Sequence, residues 1–93
     1  MELYYLFDKP NTNQQKVFES VFPIVERYFE KTTAFVATRR EEVVFNCGPD
    51  ETKLNQLCSY LNDLSDRKNS RISFEIWCED IGGAVPMGIV ACW

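Results

Sequence analysis

Hydrophobic positions form a nearly continuous run at the start of the chain and then adopt a helical spacing. Residues 2–7 (ELYYLF) are apolar almost throughout, a pattern typical of a central strand covered on both faces. Thr12 and Gln15 have the spacing of a capping box, and apolar residues then recur every three or four positions to about residue 31. This pattern predicts a first helix. Pro23 lies inside it, so we expect a kink or a broken turn there.

The clearest unit is the stretch 42–64, which contains a strand, a turn and a helix. Its β-branched and aromatic run, 42–47, stops at Gly48 and Pro49. Gly48 suits the N-cap of a second helix and Pro49 its first position. The helix is expected to end near residue 65, because apolar side chains recur at helical spacing at Leu54, Leu57, Cys58, Leu61 and Leu64.

Three further runs have strand character. Residues 33–39 precede the 42–47 strand, and Arg40-Glu41 between them predicts a tight hairpin turn. Residues 71–78 alternate strictly between apolar and polar, which is typical of a half-exposed strand. Residues 85–92 allow a short fifth strand, which Pro86 confines to an edge or to its own first residues.

The predicted element order is therefore β-α-β-β-α-β with an optional last strand. Right-handed crossovers in this order give a single-domain (residues 1–93) α+β ferredoxin-like two-layer sandwich. In that topology the first and third strands are central and parallel, and the fourth is at an edge.

Composition narrows the class of function. The 93 residues carry a net charge of −4, which disfavours a nucleic-acid partner. We expect no signal peptide and no membrane contact, since the most apolar tail, 84–93, is far shorter than a spanning helix. The four cysteines form no CxxC pair, so we expect reduced, mostly buried thiols in a cytoplasm.

Catalytic chemistry has few candidate residues. The sequence contains no histidine, which removes imidazole bases and the common zinc sites. Cys47 and Cys78 are expected at opposite ends of the sheet, so we expect no metal site of cysteines and no cofactor. Asp8, Asn46 and Asp50 follow the ends of two strands predicted to be parallel, where carboxylates could hold Mg²⁺. The alternative is that Asp8 and Asp50 cap the two helices.

The segment YYLFD, residues 4–8, resembles the opening of the small dimeric nuclease subunit of CRISPR adaptation. That family has the same predicted topology, an extra C-terminal strand and an Asp at the end of its first strand. The resemblance implies that Asp8 is a metal ligand at a two-fold interface.

A two-layer sandwich leaves one face of its sheet without helices, and this face is predicted to be too apolar to meet only water. Either the tail 84–93 folds back over it, or it contacts another chain, which could be its own copy or a target. If the other chain is a second copy, the homodimer would form through this face or through the C-terminal strand; the alternative is a protein target. The predicted interface residues are Trp77, at the centre, and Tyr4, Leu6, Val44 and Glu75.

These patterns favour a non-enzymatic protein that acts by protein–protein binding. Small acidic proteins of this kind include immunity proteins and phage-encoded inhibitors of host defence, such as anti-CRISPR or anti-restriction proteins. Two alternatives remain: a metal-dependent nuclease-like dimer that uses Asp8, and a small-molecule sensor domain that binds its ligand between strand ends.

Overall fold

The computed structural model of the chain describes residues 3–36, 41–80 and 83–93. Its elements are β1 (Leu3–Tyr5), α1 (Thr12–Glu26), β2 (Thr33–Val36), β3 (Glu42–Asn46), α2 (Glu51–Arg67), β4 (Ser73–Asp80) and β5 (Ala84–Cys92). The hairpin turn predicted at Arg40-Glu41 falls partly on residue 40, which lies outside the described residues.

The strands form one mixed sheet in the order β1-β2-β3-β5-β4. β1 is parallel to β2, and every other neighbouring pair is antiparallel. Both helices pack on one face of this sheet, where α1 lies over β2 and β3 and α2 lies over β4 and β5. The predicted two-layer α+β architecture is therefore confirmed.

The strand order differs from the predicted ferredoxin-like order. β5 lies between β3 and β4: residues 88–92 pair with β3, and nearly the whole strand pairs with β4. Among the described strands, β1 pairs with β2 alone and lies at an edge, so the prediction of a central first strand was wrong. The prediction that β4 is an edge strand is confirmed.

The core fills the space between the helices and one side of the sheet. Each strand from β2 to β5 contributes the alternate side chains that point toward the helices. Each helix contributes the apolar stripe that faces the sheet. The fully buried members with less than 2 % exposure include Phe45, Leu54, Leu57, Ile89, Val25 and Val43. The apolar residues of the alternating run 71–78 point toward the helices, since Phe74 is buried in this core and Ile72 and Ile76 pack against it.

The helix boundaries differ from the predicted ones by a few residues. The capping box at α1 is made by Asn11 and Gln14, one residue earlier than the predicted pair, with both side chain–backbone hydrogen bonds at 2.8 Å. Gln14 lies on the buried side of the helix, where its side-chain amide donates to the carbonyl of Glu42 at 3.4 Å. α1 continues without a break through Pro23 and ends at Glu26.

Asp50, rather than Gly48, is the N-cap of α2, because its Oδ1 accepts a hydrogen bond from the Lys53 amide at 3.1 Å. Gly48 instead has a φ of 117°, which a residue with a side chain rarely adopts. Gly48 therefore serves the turn between β3 and α2.

β5 is interrupted near its start. Trp77 pairs with Gly88 but Cys78 pairs with Pro86, so Met87 is an extra residue on the β5 side. The part of β5 that pairs with β3 begins at Gly88, after Pro86. Pro86 is therefore among the first residues of β5, as expected. At Gly88 the backbones come so close that an added Cβ would lie 1.9 Å from the carbonyl oxygen of Phe45.

Candidate protein-binding surface

Four consecutive large side chains at one edge of the sheet are exposed to solvent. Tyr4, Tyr5, Leu6 and Phe7 are 57 %, 46 %, 68 % and 80 % exposed, respectively. We call residues 4–7 the apolar edge. Soluble domains expose single apolar residues routinely, but contiguous patches frequently mark contact sites.

The position of β1 explains this exposure. Within β1 only Leu3 is buried, opposite Ala34 of β2. Beyond Tyr5 the chain bends away toward α1, and its last bond to the sheet runs from the amide of Leu6 to the carbonyl of Val36 at 3.3 Å. Because α1 lies over β2 and β3, it does not cover the side chains of the apolar edge.

The main chain of β1 also faces outward in part. The amide of Leu6 points toward β2, and successive residues of a strand direct their amides and carbonyls to alternate sides. The amides and carbonyls of Leu3 and Tyr5 therefore point away from β2, toward the open side of the sheet. No strand pairs with this side of β1 within the residues that the structure describes. Such an edge is a template for pairing with another strand.

At the opposite edge of the sheet, side chains of α2 make hydrogen bonds with the main chain at the start of β4. The side-chain amide of Asn62 on α2 donates to the carbonyl of Phe74 at 2.9 Å, and its oxygen accepts from the Phe74 amide at 2.9 Å. The hydroxyl of Ser65 donates to the carbonyl of Ile72. At Phe74, Asn62 thus makes the pair of bonds that a neighbouring strand would make, so the outer side of β4 is satisfied by its own chain at the start of the strand.

The helix-free face of the sheet is partly covered by its own side chains. The rings of Phe35 and Trp77 meet edge-on, with centroids 5.5 Å apart and an interplanar angle of 77°. Both rings are half-buried, and Val44 between their strands is only 3 % exposed. Trp77 therefore has a packing partner within the chain.

The five predicted interface residues separate into two groups. Tyr4 and Leu6 belong to the apolar edge. Trp77, Val44 and exposed Glu75 lie on the helix-free face, where Val44 and Glu75 both pair with Val90. Buried Val44 supports its neighbours and has little surface to offer a partner. The role of this face as an interface stays a prediction.

The tail 84–93 corrects two further expectations. It forms β5 and enters the sheet, so it does not fold back over the helix-free face. Since β5 has a neighbour on each side, the C-terminal strand offers no free edge along most of its length for a homodimer.

Tyr5 and Phe7 were missed as surface residues, because the apolar run 2–7 predicted a central strand covered on both faces. A local signal was present in Asp8, Lys9 and Pro10, since a polar segment ending in Pro must leave the sheet directly after Phe7. Asn62 was also missed, because no local pattern in the sequence indicates its two hydrogen bonds to the main chain of Phe74.

The proposed carboxylate site is not assembled. β1 and β3 are both adjacent to β2, one parallel and one antiparallel, so their carboxyl ends lie at opposite ends of the sheet. Asp8 is therefore remote from Asn46 and Asp50, contrary to the expectation from parallel strands. Within residues 3–36, 41–80 and 83–93, no group of three or more metal-ligating side chains could hold an ion.

The cysteines are free, as expected, but their placement differs. β4 is parallel to β3 because both are antiparallel to β5, so Cys47 and Cys78 lie at the same end of the sheet rather than at opposite ends. Burial raises the pKa of the Cys47 thiol to about 11, partly offset by a hydrogen bond with Thr32. Burial and the nearby carboxylate of Glu75 likewise raise the pKa of Cys58. Neither thiol has the lowered pKa of a nucleophilic cysteine.

Two concave regions bear on the small-molecule alternative. A groove of about 100 Å³ between α1, α2 and β4 is lined mainly by apolar residues, including Val21, Ile24 and Leu61. Ligand pockets usually measure about 300–1,000 Å³. A wider depression of about 470 Å³ near Thr32 and Asn46 is open to solvent. The sensor function stays a prediction.

No protein-family model, curated protein or solved structure matches the chain. None of the helices that the structure describes is both long and apolar enough to cross a membrane.

Proposed function

We propose that the chain is a non-enzymatic domain that acts by binding protein through the apolar edge. The observation that carries this proposal is the exposure of four consecutive large side chains beside an open strand. Aromatic residues of this kind supply most of the binding energy in protein interfaces.

The contrast between the two edges supports the same proposal. The outer side of β4 receives hydrogen bonds from α2, whereas the outer side of β1 presents amides, carbonyls and aromatic rings to solvent. Native sheets commonly protect an open edge with charged residues or proline. Residues 3–7 contain neither, which is consistent with an edge that meets a partner.

A binding role also agrees with the chemistry of the chain. There is no histidine in the sequence, and Asp8 and Asp50 lie at opposite ends of the sheet. The small size and the charge of −4 support the inhibitor or immunity class, including phage-encoded anti-CRISPR or anti-restriction proteins. Four free thiols support action in a reducing cytoplasm.

The test is capture of a partner by the tagged full chain from its source cell, compared with Phe7→Ser. Phe7 is the most exposed of the four residues, so this substitution should leave the melting temperature unchanged and abolish capture of the specific partner. The matched control is Tyr60→Ser, which removes an exposed aromatic ring from α2 and should keep capture intact. A partner retained by Phe7→Ser and lost by substitutions on the helix-free face would refute the assignment to the apolar edge.

The nuclease alternative has its own assay. Incubation of the chain with DNA or RNA and Mg²⁺ or Mn²⁺ should give no cleavage above an Asp8→Ala control. Metal-dependent cleavage that disappears in Asp8→Ala would replace the binding proposal.

A further inference from the structure

We infer that the occupant of the apolar edge is a second copy of the chain, paired antiparallel through β1 about a two-fold axis at Tyr4. The inference rests on the proposed function and specifies the partner of the same surface. The result would be one continuous ten-stranded sheet in which the β1 strands of both copies are central.

The main-chain geometry permits this pairing. The outward amides and carbonyls belong to Leu3 and Tyr5, the two residues that flank Tyr4. In an antiparallel pair centred on Tyr4, Leu3 of one copy lies opposite Tyr5 of the other, and symmetry provides this pair twice. Such a pair exchanges both of its N–H···O bonds. All outward groups of β1 would then be satisfied without any change in its pairing to β2.

The side chains suit a self-complementary contact. A two-fold axis perpendicular to the sheet keeps each face on its own side, so Tyr4 meets Tyr4 of the second copy on the helix-free face. Residues 3–7 contain no charged side chain, although the chain as a whole has a net charge of −4. Two copies therefore meet here without like charges in direct opposition.

The available area is of the size that a dimer needs. A large aromatic side chain carries about 150–250 Å², so the four exposed side chains of the apolar edge present on the order of 500 Å². Two copies together would bury at most about 1,000 Å² from these residues, near the lower bound for a specific interface. Flanking main chain adds to this area.

The first experiment measures the mass of the full chain by sedimentation equilibrium across a wide concentration range. The expected result is a transition from the 10.9 kDa monomer to a species of twice that mass. A wild-type chain that stays monomeric up to about 1 mM would overturn the second-copy assignment. The capture experiment with Phe7→Ser is independent of this result, so the proposed function can stand when the dimer fails.

The second experiment tests the axis by a charge swap at Tyr4. In Tyr4→Lys, and separately in Tyr4→Glu, two like charges would lie directly opposite each other, so each variant should dimerise at least about tenfold more weakly. An equimolar mixture of the two should restore the dimer, because the opposed charges are then of opposite sign. Dimers that persist in both single variants, or a mixture that stays monomeric, would overturn the pairing at Tyr4.

Two further variants keep the result interpretable. Tyr5→Pro removes an outward amide that β1 does not use for β2, so it should give a folded monomer by circular dichroism and sedimentation. If Tyr5→Pro unfolds, the charge swap at exposed Tyr4 decides the matter. The matched control Tyr60→Lys places a charge on α2, away from the apolar edge, and should dimerise like the wild type.

Discussion

Replacing Trp77 by alanine separates a structural role of this ring from a role in binding. The ring meets Phe35 edge-on across the helix-free face, and Val44 lies almost fully buried between their strands. If this packing holds in solution, the substitution removes stability from the isolated chain. If the ring only contacts partners, the isolated chain should not respond.

The structure sets the expected size of the effect. Truncating a fully buried Phe or Trp costs about 3–5 kcal/mol. Trp77 is half-buried on an open face, where water can occupy the vacated space, so no closed cavity forms. We therefore expect the free energy of unfolding to fall by about 2–3 kcal/mol. At about 4–8 °C per kcal/mol for a domain of this size, the melting temperature should fall by roughly 10–20 °C.

The pair contribution can be measured by a double-mutant cycle with Phe35→Ala. Edge-to-face aromatic pairs contribute about 0.5–1.5 kcal/mol beyond area burial, and the cycle isolates this coupling. Urea unfolding followed by far-ultraviolet circular dichroism is the appropriate assay, because the substitution alters tryptophan fluorescence. The control is Tyr4→Ser, measured at a protein concentration at which the wild type is monomeric; it removes a mostly exposed aromatic ring from the same face and should cost less than about 1 kcal/mol.

Two results would refute this reasoning. The first is a change below about 0.5 kcal/mol in Trp77→Ala, within the range of ordinary surface substitutions. The second is zero coupling between Trp77 and Phe35. Either result would return Trp77 to the centre of a predicted interface on the helix-free face.

Three other perturbations test the packing of the sheet. Gly88→Ala should destabilise the chain by more than about 3 kcal/mol in urea unfolding, because the new Cβ would collide with the carbonyl of Phe45; a stability near that of the wild type would contradict the close approach of β3 and β5. Asn62→Leu keeps the branched shape but leaves the amide of Phe74 without its side-chain partner and its carbonyl with the Cys58 thiol as donor, so we expect a loss of about 1–3 kcal/mol and faster hydrogen exchange at that amide. Unchanged exchange would show that Asn62 does not cover the edge. Stability should fall as pH rises from 9.0 toward 11, more steeply in the wild type than in Cys47→Ala, because the thiol ionises at lower pH when unfolded; equal slopes in chemical denaturation would contradict the raised pKa of Cys47.

The helices were the most predictable part of the fold. Their apolar stripes identify the buried face directly, and Leu54, Leu57 and Leu61 are indeed buried in the core. The ends of the helices were less predictable, because two adjacent pairs of residues at the start of α1 each have the spacing of a capping box. Asn11 with Gln14 and Thr12 with Gln15 are similar patterns, and the tertiary contacts of Gln14 with the carbonyl of Glu42 and of Asn11 with the carboxylate of Glu41 favour the first.

The strand order could not be predicted from the same patterns. The alternation along residues 71–78 correctly identifies which side chains of β4 are buried, since Phe74 faces the helices. The spacing of apolar residues along a strand does not indicate which strands are its neighbours in the sheet. The small residues Gly88 and Ala91 allow β5 to lie between β3 and β4, at a spacing that a larger residue at Gly88 would not permit. That close approach is a property of the assembled sheet and has no local sequence signature.

The candidate surface follows from that strand order. An apolar run such as residues 3–7 has the same sequence signature in a covered central strand and in an edge strand that meets a partner. With β5 between β3 and β4, β1 lies at the edge and the burial that its composition predicts is absent from the single chain. Pairing with a second β1 would make the strand central after all. The dimer would therefore restore the environment that residues 3–7 predict, through a neighbour from outside the chain.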